Sequence, residues 1–187
     1  MDLAEIRRRL ATYRPLCLPA DGARRAAVLL PLRWMSDPLG GLELILTRRA
    51  EHLPTHAGQV ALPGGNMMPR ISTRKRLPRE AGEELGIPAE HVEVLGRLDD
   101  MLTITGFHVV PVVGALRGQV ILRPDPREVE RAFTVPLAVL LDPAVWESRL
   151  HPWKGSAVRI WHVAFDGEDI WGATAAMLRR FVEVLWH

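Results

Sequence analysis

Cysteine and long apolar runs are almost absent from this chain of 187 residues. Cys17 is the only cysteine, which excludes a disulfide framework and a site built from several thiolate ligands. No uninterrupted apolar run approaches the roughly 20 residues that a membrane-spanning helix needs. The N-terminal residues also lack the apolar stretch of a secretory signal. We therefore expect a protein of the reducing cytoplasm with no membrane partner.

Length and composition predict one globular domain over residues 1–187. Apolar residues make up 48% of the chain and charged residues 25%, which is ordinary for a globular protein. Leu3, Ile6 and Leu10 recur at helical spacing and predict an amphipathic helix over residues 3–13. Residues 1–20 are thus predicted to form a helical extension at the N-terminus of the domain.

Strands and helices are predicted to alternate along the chain. Hydrophobic patterning predicts strands at residues 26–32, 42–47, 59–62, 92–98, 107–116 and 158–165. It predicts helices at residues 77–85, 136–141 and 170–186, and a short helix at 128–133. The first two strands form a predicted hairpin around the turn residues 36–41, and Pro31 places the first at a sheet edge or strand end. The fold class is therefore α/β or α+β.

Three carboxylates share one face of the predicted helix at residues 77–85. Glu80, Glu83 and Glu84 stand at positions i, i+3 and i+4, which are neighbours on a helix surface. Like charges so close raise one another's pKa unless a cation lies between them. Mg²⁺ is held by a few carboxylates together with substrate phosphates. The spacing alone leaves two readings open, a metal site and a solvated acidic face.

The stretch from Gly65 to Ile87 resembles the Nudix box. That box is a glycine, five residues, a glutamate, seven residues and then Arg-Glu-U-X-Glu-Glu-X-Gly-U, where U is aliphatic. REAGEELGI at residues 79–87 matches its second half when Ala81 is accepted as U. The resemblance implies an α/β/α sandwich with a mixed sheet. It also implies a hydrolase in which Glu80, Glu83 and Glu84 are catalytic and bind Mg²⁺ or Mn²⁺.

The segment that precedes the box resembles a narrower group, the coenzyme A pyrophosphatase branch. LILTRRAEHLPTHAGQVALPGG at residues 44–65 is similar to Leu-Leu-Thr-X-Arg followed by Leu-X-X-His-X-Gly-X-(Val/Ile)-X-Phe-Pro-Gly-Gly, with Leu62 in place of Phe. Segments 98–114, 127–143 and 169–178 also look like that branch. The implied reaction hydrolyses the pyrophosphate of coenzyme A (CoA) or a derivative to 3′,5′-ADP and 4′-phosphopantetheine.

Polar residues before the box are candidate substrate ligands. Arg48 and Arg49 lie at a predicted strand end, where they would either grip phosphates bidentately or remain solvated charges. His56 would either donate a hydrogen bond to a phosphate or shape its loop. Gly64 and Gly65 are expected to permit backbone conformations or close approaches that a Cβ would forbid.

Two later residues have open roles. Glu128 lies where some Nudix enzymes place a general base, so it would either activate water or be a plain surface residue. Trp171, together with Ala175 and Leu178, is expected to belong to the core rather than to contact substrate.

The loop inside the box departs from the family pattern. Residues 66–78 read NMMPRISTRKRLP, and Ile71 stands where the first box glutamate is expected. Pro78 would cost on the order of 3 kcal/mol inside a helix unless the helix begins near it. Read two nucleotides on, codons for NMMP give (His or Tyr)-Asp-Ala, so the loop is interpreted as a compensated frameshift over an acidic, alanine-rich segment. The nucleotide sequence tests this hypothesis.

Three functions follow from these observations. The first is an active CoA pyrophosphatase, and the second is a Nudix-fold protein that binds CoA or a nucleotide but hydrolyses it poorly because loop 66–78 is altered. The third, nucleic-acid binding through the basic run 70–79, lacks an aromatic platform or a reading helix. We therefore expect a small-molecule substrate and no nucleic-acid partner, and leave a homodimer open.

Overall fold

The computed structural model describes residues 1–19, 22–35, 40–66 and 73–187, without the side chains of residues 73–76. The helices in these ranges are α1 (Leu3–Thr12), α2 (Thr73–Leu85), α3 (Leu137–Leu141) and α4 (Gly172–Trp186). The first seven strands are β1 (Arg24–Trp34), β2 (Leu42–Arg49), β3 (Val60–Ala61), β4 (Gly64–Asn66), β5 (Val92–Arg97), β6 (Met101–Leu102) and β7 (Phe107–Leu116). The last four are β8 (Val129–Pro136), β9 (Trp146–Trp153), β10 (Ser156–Phe165) and β11 (Glu168–Trp171). None of these helices is long and apolar enough to cross a membrane.

The main sheet is mixed. Its central order is β3-β2-β1-β7-β5, with β4 paired to β1, β6 to β7 and β8 to β2. Strands β1 and β7 run parallel over nine register pairs from Arg24↔Phe107 to Leu32↔Ala115, and the other pairs are antiparallel. Strands β9, β10 and β11 form a second, antiparallel sheet.

Helix α2 covers one face of the main sheet. Leu77, Ala81 and Leu85 recur every four residues, so they form one buried stripe along the helix. They pack against Ala27 and Leu29, which alternate along β1 and therefore point to the same face. This packing fixes the rotation of α2, and with it the direction of its carboxylates.

The opposite face of the sheet is covered by α1, α3 and α4. Leu30 and Leu32 of β1 pack in one cluster with Ile6 and Leu10 of α1 and Phe181 of α4. All five side chains are nearly or fully buried. Helices therefore cover both faces of a mixed sheet, which confirms the α/β/α sandwich expected from the box.

The predicted edge position of β1 is wrong. The strand pairs on both sides, with β7 on one and with β2 and β4 on the other. Pro31 is tolerated because it lies between two partners: residues 26–28 pair with β4, and the pairs with β2 begin at Leu32. A missing N–H at this changeover interrupts neither ladder.

Other element predictions also need correction. Residues 128–133, predicted as a short helix, belong to strand β8, because an antiparallel ladder with β2 satisfies their backbone and overrides local helix preference. The sequence patterns do not predict strands β4, β6, β9 and β11. Helix α2 begins at Thr73, so Pro78 lies inside it rather than near its first residue.

Candidate active site

Glu84 is a buried carboxyl beside the main sheet. It directly precedes Leu85 of the α2 stripe and is only 8% exposed. The Gly64 N–H donates a hydrogen bond of 3.2 Å to its Oε1. The pKa of Glu84 is raised to about 8, mainly by burial and also by the negative charges of Glu128 and Glu80, while the hydrogen bond from Gly64 and the charge of Arg49 oppose the shift. A carboxyl in such surroundings is characteristic of a functional site.

Gly64 and Gly65 bring β4 into close contact with β1 and α2. Gly64 has a φ of +147°, and a Cβ there would lie 2.3 Å from the Ala27 carbonyl oxygen. A Cβ on Gly65 would lie 3.1 Å from a carboxylate oxygen of Glu80. The close approach expected of the two glycines is therefore present, and the backbone fills the space that side chains would need.

Arg49 lies at the end of β2, beside Glu84. Its N–H donates to the Gln59 carbonyl at 3.0 Å, and the Gly58 N–H donates to the Arg49 carbonyl at 3.1 Å. Its positive charge is close enough to lower the pKa of Glu84. The buried Nε of Arg49 has no hydrogen-bond partner among the described residues. This donor is therefore available to an anion that enters the site.

Arg48 has a different environment, although it is the adjacent residue. Its guanidinium donates to Glu51 at 2.9 Å, to Glu130 at 3.0 Å and to Glu168 at 3.2 Å. These three carboxylates, with Glu51 first, raise the pKa of Arg48 above its usual range. The guanidinium is thus already surrounded by anions.

The loop between β2 and β3 carries His56. His56 is exposed and adopts a φ of +57°, and its Nδ1 lies 2.9 Å from Oε1 of Gln59. Glu128 lies next to the end of β2, where the Ala50 N–H donates to its carbonyl at 3.0 Å. The exposed side chain of Glu128 is near enough to Glu84 to raise its pKa.

Glu83 turns away from Glu84. Its side chain is 58% exposed and forms an ion pair of 3.4 Å with Arg79, four residues earlier on α2. The structure therefore brings Glu80, Glu84, Glu128 and Arg49 into electrostatic contact, whereas Glu83 pairs with the box arginine. Arg79 lacks the first box glutamate as a partner and is paired with Glu83 instead.

The family of the chain is decided by direct comparison. A family model described as the NUDIX domain matches residues 23–156. The chain belongs to the Nudix family. A relative from Yersinia pestis (strain Pestoides F), described as "Uncharacterized Nudix hydrolase NudL", is 38% identical over 164 residues, which cover 86% of this chain and 79% of the relative.

Solved structures agree on the Nudix fold. The MutT protein from Methanosarcina mazei Go1 has a TM-score of 0.54 and 20% identity, over 93% of this chain and 96% of that one. The Nudix hydrolase RenU from M. smegmatis has a TM-score of 0.51 and 25% identity, over 61% of this chain and 71% of that one. The resemblance recognised in the box is thus confirmed at the level of the family and fold.

Nudix hydrolases generally use divalent metal ions. In the described part of this Nudix hydrolase, no three His, Cys, Asp or Glu side chains are grouped closely enough to hold a metal ion as they stand. The donor chemistry nevertheless fits one: Glu80 and Glu128 act electrostatically on the buried carboxyl of Glu84. A hard divalent cation would replace repulsion among these three oxygen donors with attraction.

Several sequence-based interpretations of this Nudix hydrolase fall outside the described residues. Ile71 and the rest of segment 67–72 are among them, as are the side chains of residues 73–76 in the basic run. The frameshift interpretation therefore stays a prediction.

The expectation for Trp171 is wrong, whereas the one for its neighbours is right. Ala175 and Leu178 are fully buried, but Trp171 is 36% exposed. Trp171 pairs with His162 across β10 and β11, and their rings lie nearly parallel with centroids 6.1 Å apart. Ile170, fully buried, takes the core position because neighbouring strand residues point to opposite faces.

Sequence reasoning also missed Glu168. It is 5% exposed and binds Arg48 of β2 and Arg131 of β8. The sequence contains no signal for this contact, because Glu168 lies in the polar run Asp166-Gly167-Glu168-Asp169, which is typical of an exposed turn.

Proposed function

We propose that this Nudix hydrolase cleaves the pyrophosphate of CoA or a CoA derivative. Water attacks one phosphorus atom, the bridging P–O bond breaks, and the products are 3′,5′-ADP and 4′-phosphopantetheine. The observation that carries the proposal is the agreement between the segment before the box and the site. The branch pattern Leu-Leu-Thr-X-Arg, which the segment resembles, has an arginine at the position of Arg49 and any residue at the position of Arg48. Arg49 is also the arginine whose charge acts on Glu84.

The carboxylates have the composition that such a reaction requires. Glu80 and Glu84 would hold Mg²⁺ or Mn²⁺, together with Glu83 if it leaves Arg79, as the box resemblance implies. The bound ion would neutralise charge on the diphosphate and lower the pKa of the attacking water. Glu128, exposed beside Glu84, is positioned to contribute a further ligand or to accept the proton from that water.

The remaining site residues would bind and orient the diphosphate. Arg49 offers an unpaired Nε–H to a phosphate oxygen. Gly64 and Gly65 would act by letting β4 lie directly against β1 and α2, which keeps the backbone of β4 beside Glu80 and Glu84. His56 lies on the exposed loop before β3 and would contact the part of the substrate that faces solvent. Arg48 would contribute to substrate binding mainly indirectly, through the residues next to it, because its guanidinium already donates hydrogen bonds to three carboxylates.

We further propose that residues 1–187 act as one Nudix domain with a helical extension at residues 1–20. Support comes from α1, whose Ile6 and Leu10 are buried in the same cluster as the main sheet and α4. A cytoplasmic location, a homodimer and the identity of the metal stay predictions.

The alternative function is binding of CoA without efficient hydrolysis. It is favoured by the altered loop 66–78, because this loop leads into the helix that carries the carboxylates. Pro78 removes one backbone hydrogen bond within that helix. A helix held less firmly would misplace Glu80 and Glu84 relative to Arg49 without abolishing ligand binding.

One assay separates the two functions. The purified full chain is incubated with CoA and Mg²⁺ or Mn²⁺, and the products are resolved by chromatography; ADP-ribose and a dinucleoside tetraphosphate serve as competing substrates. The proposal predicts 3′,5′-ADP and 4′-phosphopantetheine in equal amounts, and no product in a chelator. CoA binding without product would establish the alternative. Faster cleavage of either competing substrate would refute CoA as the preferred substrate.

A further inference from the structure

Glu168 is a buried carboxylate that the mechanism above does not use. It lies on β11 of the second sheet and is 5% exposed. It accepts hydrogen bonds from Nη1 of Arg48 at 3.2 Å and from Nε of Arg131 at 3.0 Å, and a further bond from Nη2 of Arg131. A buried charge is strongly unfavourable unless it is paired in this way. Two arginines at one carboxylate therefore indicate a built connection between the sheets.

The two arginines are direct cross-strand partners. Arg48 of β2 stands opposite Arg131 of β8 in the antiparallel register. Like charges directly opposite each other destabilise a strand pair. The Glu168 carboxylate is bonded to both, so it offsets the repulsion between them and holds β2 and β8 together at this point.

The strand register changes at the next residue. Arg48 pairs with Arg131, but Arg49 pairs with Val129, which leaves Glu130 as an extra residue on β8. Bulges of this kind redirect side chains and are common next to active sites. Here the residue after the shift is Arg49, whose charge acts on Glu84. Arg48 also binds Glu130 at 3.0 Å, so it holds the bulged residue itself.

We propose that Glu168 is a positioning residue: by binding Arg48 and Arg131 it fixes the bulge at the end of β2, and the bulge presents Arg49 to the diphosphate. The inference rests on the proposed function only in taking a diphosphate as the group that Arg49 binds. Glu168 does not touch the substrate and acts through Arg49.

A double-mutant cycle tests this role. The probe is methylenediphosphonate, a hydrolysis-resistant diphosphate, whose affinity is measured calorimetrically with Mg²⁺ present. Glu168→Gln keeps the side-chain shape but removes the charge, and should weaken binding about tenfold when Arg49 is present. In the Arg49→Gln background the same change should alter the affinity less than about twofold, because the residue through which Glu168 acts is gone.

Two further variants control the cycle. Arg131→Gln weakens the same connection from its more exposed end and should reduce affinity about threefold, again only when Arg49 is present. It decides the matter if Glu168→Gln does not fold. Glu147→Gln removes an exposed carboxylate of the second sheet, paired with Arg149 at 2.7 Å, and should leave affinity unchanged.

Distinct results would overturn the positioning role. Equal losses from Glu168→Gln in both backgrounds would show a general structural effect, and so would a loss in Glu147→Gln as large as in Glu168→Gln. Unchanged affinity in Glu168→Gln, or no diphosphonate binding by the unsubstituted protein, would also contradict the proposal. Failure to hydrolyse CoA, with the cycle intact, would refute the substrate assignment and leave the positioning role standing.

Discussion

Two carboxylates in this Nudix hydrolase are buried to a similar degree, yet their surroundings are opposite. Glu168 is 5% exposed and lies between two guanidinium groups. Glu84 is 8% exposed, accepts one backbone hydrogen bond from Gly64 at 3.2 Å, and has two further carboxylates as electrostatic neighbours. The first charge is satisfied within the protein, whereas the second has too little positive charge around it.

This difference separates a carboxylate that connects strands, Glu168, from the carboxylate to which the proposed function assigns metal binding, Glu84. A paired buried carboxylate stabilises a particular arrangement of strands, as Glu168 does for β2, β8 and β11. A buried carboxyl whose pKa is raised to about 8 is unfavourable in its charged form until a cation reaches it. We therefore expect substitutions at the two positions to have opposite balances of stability and activity.

The largest expected effect is the loss of hydrolysis in Glu84→Gln. An amide cannot supply the negative charge that a divalent cation requires, so CoA hydrolysis should fall on the order of 100–1000-fold. Product formation by chromatography measures it. Glu90→Gln, at an exposed position on the short turn after α2, is the matched control and should keep full activity. Equal activity of the two variants would contradict the assignment of Glu84.

Glu84→Gln should also stabilise the metal-free protein at high pH. Because the pKa of Glu84 is raised from 4.5 to about 8 on folding, the folded state binds the proton more tightly. The stability from this group is complete below about pH 4.5 and is lost as pH rises through 8. In the presence of a chelator at pH 8, the unfolding free energy of Glu84→Gln should be higher than that of the original protein by an amount on the order of a few kcal/mol.

Denaturant unfolding at pH 5 and pH 8 measures this difference. The gain should be small at pH 5 and large at pH 8, because the buried carboxyl of the folded original protein is protonated at pH 5 and becomes charged only as the pH reaches about 8. A gain of equal size at both values would mean that packing, and not the buried charge, separates the variants.

Gly64→Ala probes the backbone that holds Glu84. A Cβ would lie 2.3 Å from the Ala27 carbonyl oxygen, so β4 must shift and the variant should lose about 2–3 kcal/mol of unfolding free energy. Gly155→Ala shares the positive φ but has no atom within 4 Å of the added Cβ, and isolates the conformational strain. Similar losses in the two variants would show that the contact with β1 does not matter.

The smallest effects should distinguish the adjacent arginines. Arg48→Gln removes a partner of the buried Glu168 and should cost about 1–3 kcal/mol in unfolding free energy. Arg49→Gln removes a buried Nε that has no hydrogen-bond partner among the described residues, so it should change the unfolding free energy by less than about 0.5 kcal/mol. It should weaken diphosphate binding more than Arg48→Gln does. Thermal unfolding and calorimetric binding measure the two effects. If Arg49→Gln lost more stability and Arg48→Gln lost more diphosphate affinity, the roles of the two residues would be the reverse of those proposed.

Local patterns in the sequence were sufficient to predict the helix that carries Glu84 and the segment that precedes it. The helical spacing within residues 77–85 predicts the part of α2 that carries the carboxylates. The family resemblance supplied the arginine and glycines before the box. What the spacing could not show is that Glu84 is buried and Glu83 exposed, because that depends on which side of the helix meets β4.

The other side depends on contacts between distant parts of the chain. Glu168 and Arg48 are 120 residues apart, and neither has a local neighbour that indicates the other. Strand β8 was mistaken for a helix because its ladder partner, β2, lies about 85 residues earlier. Pro31 misled for the same reason, since its tolerance depends on β1 changing partners at that residue.

The most direct test of the contrast between the two carboxylates is to measure Mn²⁺ affinity from the electron paramagnetic resonance signal of the free ion. The account predicts that Glu84→Gln loses Mn²⁺ affinity by at least about tenfold, whereas Glu168→Gln binds Mn²⁺ as the original protein does. Retained affinity in Glu84→Gln, or an equal loss in Glu168→Gln, would contradict the separation of a metal-binding carboxylate from a connecting one.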